Sequence, residues 1–214
     1  MLNRRSFALS LALAATPFFA GPALASRPTV LTAEDQDLVA KAAAYLQGLT
    51  EAKGRFVQTD ARGNLTQGDV YLKRPGRARF AYDQPSGLLV VADGDYVSVS
   101  NSQLKTFDRY PLMATPLSIF LARQIRLDKG IIITEVRRAA DGFTITAKDG
   151  GRTAEGSISL TFSSAPLALT GWTVADAQGQ TTHIQLSGFA ETSGLAANLF
   201  VLKDPRAVRP GRAR

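Results

Sequence analysis

The sequence predicts a mainly β protein of the α+β class: an antiparallel meander with one helix ahead of it and a short second helix inserted midway. Three observations carry this expectation. Apolar residues recur at every second position after Gly54, turn signals separate those runs, and helical spacing is confined to two segments.

The first segment of the 214 residues is not counted in the fold. Met1 to Arg5 is short and basic, Ser6 to Ala20 is largely apolar, and Ala23-Leu24-Ala25 has the small-x-small pattern of a signal-peptidase site, so residues 1–25 are read as a signal peptide cleaved after Ala25. A membrane anchor is disfavoured because the apolar run is short and is broken by Pro17 and Pro22. Asn3-Arg4-Arg5-Ser6-Phe7-Ala8-Leu9 fits a twin-arginine export motif or an ordinary basic leader, and either places the product outside the cytoplasm.

Thr32 followed by Glu34 and Asp35 marks a helix start, and Leu38, Ala42, Tyr45 or Leu46, and Leu49 continue it with one apolar stripe. From Gly54 the period becomes two. Phe80 and Tyr82, Val97 and Val99, Phe143, Ile145 and Ala147, and Ile158, Leu160 and Phe162 each alternate with mainly polar neighbours, which predicts half-buried strands. Arg62-Gly63-Asn64, Pro75-Gly76, Asp93-Gly94, Asp141-Gly142, Asp149-Gly150-Gly151 and Gln178-Gly179 supply the turns. Short turns require antiparallel neighbours, because parallel strands need long crossovers. Thr115 as N-cap with Pro116 at the first helical position opens the inserted helix, whose Leu117, Phe120, Leu121 and Ile125 form an apolar stripe laid across the sheet. Residues 26–204 are one domain, and 205–214 form a basic tail read as disordered.

Composition excludes several chemistries. With no cysteine there is no disulfide, no thiolate metal site and no lipobox. The net charge of +7 is concentrated at the ends: from Ser26 to Leu202 the chain carries 18 basic residues against 17 acidic. A nucleic-acid face is therefore not expected. His183 shares the polar parity of Thr181 and Gln185 and reads as a solvated strand histidine; with one histidine, no metal site and no cofactor are expected. Asp93, Asp95, Asp141, Asp149 and Asp176 fall mostly in glycine turns, where turn geometry accounts for them. No nucleophile elbow, P-loop or dinucleotide motif occurs, so the chain reads as a non-enzyme.

The stretch YLKRPGRARFAYDQP, residues 71–85, holds the most informative arginines. Arg77 and Arg79 alternate with Phe80 and Tyr82 and point away from them. Arg74 shares parity with Val70 and Leu72. If these face the core, its guanidinium is aimed inward and must find acceptors, unless a bulge at Pro75-Gly76 turns it out to solvent.

Phe56-Val57-Gln58, Gly68 through Lys73-Arg74-Pro75, Phe80-x-Tyr82-x-x-Pro85, Val91-Ala92-Asp93-Gly94, Thr115-Pro116-Leu117 and Gly171-Trp172-x-Val174-x-Asp176-x-x-Gly179 occur in this order. In order and content they resemble the LolA family of periplasmic outer-membrane lipoprotein carriers. The resemblance implies an incomplete antiparallel β-barrel with an apolar concave face covered by the N-terminal helix and a lid helix. It implies a periplasmic carrier of acylated lipoproteins, loaded by an inner-membrane ATP-driven releasing complex and unloaded at the outer membrane, onto a lipoprotein acceptor if one is present; a monomer is expected. It also implies that Arg74 latches the lid of the empty cavity. The expected acyl-chain lining is Phe56, Val70, Leu72, Phe80, Tyr82, Leu89, Val91, Ile158, Leu160, Phe162, Trp172 and Val174, with Leu117, Phe120 and Leu121 from the lid. Two alternatives stand beside this: a relative of the same fold that carries another lipid or senses mislocalised lipoproteins, and a lipid-processing enzyme, for which Ser118 is the sole candidate nucleophile and lacks a nearby base.

Overall fold

A computed structural model describes residues 30–127, 130–151 and 156–204. The expected signal peptide and basic tail lie outside the described residues.

The first helix, α1 (Ala33–Gly48), begins where the sequence places it. Thr32 accepts from the Asp35 amide at 3.1 Å and Asp35 accepts in return from the Thr32 amide, so two orphan donors of the first turn are satisfied reciprocally. Its buried face is Val39, Ala42 and Leu46, with Leu49 just beyond the helix end.

Eleven strands follow: β1 (Glu51–Thr59), β2 (Leu65–Lys73), β3 (Arg77–Tyr82), β4 (Leu88–Asp93), β5 (Tyr96–Asn101), β6 (Thr106–Pro111), β7 (Ile131–Arg138), β8 (Gly142–Asp149), β9 (Ser157–Ser164), β10 (Leu167–Ala175) and β11 (Thr181–Glu191). They form one antiparallel sheet in the order β6-β5-β4-β3-β2-β1-β11-β10-β9-β8-β7, whose edge strands β6 and β7 are not paired with each other. Two meanders are thus joined at a seam by β1 and β11, where Phe56 stands opposite Leu186 and Gln58 opposite Ile184. The sheet is an incomplete barrel, as expected. The chain between its edge strands holds a 3-10 turn (Leu112–Ala114) and the second helix, α2 (Leu117–Leu121).

The helix α2 departs from its expected start. Thr115 is not a side-chain cap, because its hydroxyl donates to the Leu112 carbonyl at 2.8 Å in the preceding 3-10 turn; the N-cap position is occupied by Pro116. Closing the upstream turn takes the hydroxyl that a helix cap would use.

The inner face buries Phe56, Val70, Leu72, Phe80, Phe143, Ile145, Ile158, Leu160, Phe162 and Trp172 in one cluster with α1 and α2. The outer face is mostly polar, with Thr144 bonded to Thr161, Thr146 to Ser159 and Thr173 to His183 across neighbouring strands. His183 is on this exposed face, as its parity predicts.

After β11 the chain folds back over the outer face of the first meander. Glu51 takes the Leu195 amide at 2.8 Å and pairs with Lys73 at 2.7 Å, while Lys73 also donates to the Leu195 carbonyl at 2.7 Å. Arg79 donates to the Leu199 carbonyl at 3.0 Å, and a 3-10 turn (Ala197–Phe200) lies against β3 and β4 with Phe200 buried. Arg79 therefore does structural work. The Lys73 ammonium and the Leu195 amide hold the Glu51 carboxyl below its ordinary range. A depressed carboxylate stabilises the fold above its unfolded value of about 4.5, and this contribution is lost as pH falls through the folded value. The Leu195 amide resonance is expected to move with the Glu51 titration, below pH 4.5 and not near neutrality. In Glu51→Gln it should occupy a changed position that no longer titrates; a Leu195 signal indifferent to both would refute the attachment.

Candidate functional site

Arg74 stands between the ends of the two helices. Its guanidinium donates through Nη1 to the Leu46 carbonyl in the last turn of α1 and through Nη2 to the Ala122 carbonyl just past α2, the latter at 2.6 Å. Carbonyls at helix C-termini have no partner inside the helix and carry the negative end of its dipole, so a cation is the natural group to meet them. The neighbouring backbone seats the arginine: its own amide donates to the Thr50 carbonyl at 2.8 Å, and the Gly76 amide donates to the Leu121 carbonyl at 2.8 Å. Gly76 is required there. Its φ is +75°, and a Cβ would lie 2.8 Å from the Gly94 Cα.

No carboxylate lies within ion-pair distance of Arg74 among the described residues, and its Nε is buried with no partner. Burial alone pulls the guanidinium below its ordinary value, which for arginine leaves it a cation. The contact thus joins a charge to two neutral dipoles with part of its hydrogen-bonding capacity unspent. That arrangement holds the helix ends together but is easier to part than a closed ion pair.

A second contact ties the same two segments. Gln47 accepts from the Ile125 amide at 2.9 Å and donates to the Arg123 carbonyl at 3.3 Å. Nothing in its sequence context singles it out, since its importance comes from where residues 123–125 arrive in space. Gln47→Ala is expected to lose about 1 kcal/mol of the attachment between α1 and residues 123–125, speeding hydrogen exchange at the Ile125 amide about fivefold. The global melt should stay nearly unchanged. Unaltered exchange at Ile125 would remove Gln47 from the attachment.

At the opposite end of α2 the concave face is not filled. A cavity of about 400 Å³ lies between the sheet and the start of α2, lined by Phe80, Tyr82, Leu117, Trp172 and Val174 together with Gln58, Val90, Thr115, Pro116, Thr182 and Ile184. Its volume is within the range of small-ligand sites. Phe120 of α2 rests on Trp172 at 5.6 Å between ring centroids, Trp172 meets Phe80 at 5.9 Å, and Phe56 packs edge-on against Phe80 at 5.5 Å. A continuous aromatic wall therefore runs from the roof to the seam of the sheet.

The structure sorts the expected lining into three groups. Phe80, Tyr82, Leu117, Trp172 and Val174 border the cavity. Phe56, Val70, Leu72, Phe120, Leu121, Ile158, Leu160 and Phe162 share the concave face and belong to the packed cluster beneath the two helices. Leu89 and Val91 are a correction: they lie opposite Ala81 and Arg79, on the outer face, where Val91 is buried on the side covered by the C-terminal segment. Leu88 to Ala92 is an unbroken apolar run with no alternation to read, and only the register against β3 turns Val90 and Ala92 inward. Gln58 and Ile184 border the cavity without having been expected there. Strand alternation from Phe56 could have found Gln58, whereas Ile184 depended on the β1–β11 pairing.

Residues 47–203 match the family described as outer membrane lipoprotein carrier protein LolA. An outer-membrane lipoprotein carrier protein of Xanthomonas campestris pv. campestris is 31% identical over 173 residues, 73% of this chain and 79% of that protein. One of Methylibium petroleiphilum is 29% identical over 203 residues, 90% of this chain and 93% of the other. Among solved structures, a LolA superfamily protein from Nitrosomonas europaea aligns with a TM-score of 0.46 at 11% identity, over 78% of this chain and 97% of that one.

Proposed function

The chain belongs to the LolA family of outer membrane lipoprotein carriers, and from that membership we propose that it is a periplasmic carrier. It takes the acyl chains of lipoproteins released by an ATP-driven complex of the inner membrane and delivers them to an acceptor at the outer membrane. It binds and releases without making or breaking bonds.

The observation that carries the proposal is the pairing of an apolar cavity at one end of α2 with the Arg74 contact at the other. Acyl chains in water gain about 0.8 kcal/mol per buried methylene, so holding them is easy and letting go is the difficulty. A lid whose closure over the empty cavity is favourable offsets part of the holding energy, because the closed state competes with the loaded one. Arg74 supplies such a closing contact. Its partners are main-chain carbonyls that only the closed lid brings together, so cargo that lifts α2 must break the contact and cargo that leaves restores it. The apolar inner wall of Phe80, Trp172, Val174 and Leu117 suits hydrocarbon and offers no catalytic constellation.

The test is release. Purified mature protein is incubated with spheroplasts synthesising a labelled lipoprotein, and the soluble fraction is examined for label bound to it. A soluble complex establishes the carrier. No release, with the releasing complex active, would reassign the cavity to another lipid or to a sensor of stray lipoprotein.

A further inference from the structure

The cavity is not purely apolar. Tyr82 and Gln58 both point to the concave face from the ends of β3 and β1, and the Tyr82 hydroxyl donates to Gln58 Oε1 at 2.5 Å. The ring of Phe56 is 5.0 Å from that of Tyr82, and Val90, Leu117, Trp172 and Val174 line the same space. Burial pushes the Tyr82 hydroxyl up to about 12, so it is a neutral proton donor throughout the physiological range.

Hydrogen-bond bookkeeping leaves a donor over. The tyrosine proton goes to the amide oxygen, and the Gln58 side chain makes no other hydrogen bond among the described residues, so its amide N–H groups are free toward the cavity. Turning the amide over would instead free the Tyr82 proton; the pair presents a donor in either orientation. A ligand of hydrocarbon alone would displace water from that donor and give nothing back, which is unfavourable. A fatty acyl group carries an acceptor at one end of its chain, the carbonyl oxygen of its ester or amide linkage.

We propose that Gln58 and Tyr82 form a polar subsite for the carbonyl of an acyl group, fixing the carbonyl at the rim where β1 and β3 end and β11 begins while the chain runs along Trp172 and Leu117. This rests on the carrier reading and adds its orientation: the linkage binds at the end of the barrel away from Arg74. The two linkages of an acylated lipoprotein, glyceride ester and N-acyl amide, offer the same acceptor, and the subsite accepts the acceptor they share.

Three probes of equal chain length separate the possibilities: a monoacylglycerol, the ether analogue that lacks only the carbonyl, and an N-acyl ethanolamine. Trp172 is the single tryptophan and borders the cavity, so its fluorescence reads binding directly. The ester is expected to bind about tenfold more tightly than the ether. In the double variant Gln58→Met, Tyr82→Phe, which nearly keeps the side-chain volumes and removes both donors, that difference should vanish while ether affinity is retained. Whichever of ester and amide binds more tightly names the linkage recognised. Equal binding of ester and ether by the unaltered protein overturns the subsite but leaves the carrier standing. Equal loss of both probes in the double variant assigns the pair to packing and likewise overturns it. Binding of none of the three removes the carrier reading and the subsite together.

Discussion

Arg74→Leu is expected to give a protein that accepts cargo and fails to hand it on. Two charge-assisted bonds to the Leu46 and Ala122 carbonyls disappear, while the leucine stem still fills the space between the helix ends. Losing them shifts the lid equilibrium by about 3 kcal/mol toward open, after allowing for the desolvation that the guanidinium no longer suffers. That is on the order of 100-fold in the closed-to-open ratio. With the empty closed state no longer competing, acyl probes should bind more tightly and transfer to acceptor membranes should fall by a similar factor. Transfer of labelled lipoprotein from carrier to outer-membrane vesicles measures this, with the Ile125 amide as an independent report on the lid. Hand-over at the normal rate would refute the latch, whatever the change in uptake.

Phe56→Ala is expected to have the largest effect on stability. Phe56 is fully buried at the seam where β1 joins the two meanders, in edge-on contact with Phe80 at 5.5 Å and Tyr82 at 5.0 Å. Neighbours held in a sheet on both sides have little room to collapse into the space, so the loss should be about 3–5 kcal/mol, a large part of a domain's total of about 5–15 kcal/mol. A urea titration followed by Trp172 fluorescence gives the value. A loss below about 1 kcal/mol would mean that the seam is not packed as the structure places it.

Much of this architecture is legible in the chain because alternation is a local property. Phe143, Ile145 and Ala147, and Ile158, Leu160 and Phe162, declare their faces by their own spacing, and all are buried on the concave side. The capping pair of Thr32 and Asp35 fixes the start of α1 in the same way. Arg74 is the instructive case. Parity with Val70 and Leu72 allows an inward aim that demands acceptors and leaves a bulge to solvent as the alternative, and nothing nearby in sequence identifies the acceptors that decide it: one comes from α1, 28 residues earlier, the other from beyond α2, 48 residues later.

The sequence by itself determined the alternating strands, the turns that separate them and the two helical segments, because each depends on residues within a turn or two of one another; it left Arg74 between an inward aim and a bulge out to solvent, and the structure turns it inward. Tertiary structure alone decided that β11 pairs with β1, that the run from Leu88 to Ala92 turns Val90 inward and Val91 outward, that Gln47 meets Ile125, and that the cavity lies at the end of α2 away from Arg74. Those are matters of register and arrival. An apolar run or a glutamine carries no local preference between partners, and the choice falls to whichever distant segment the closing of the sheet brings against it.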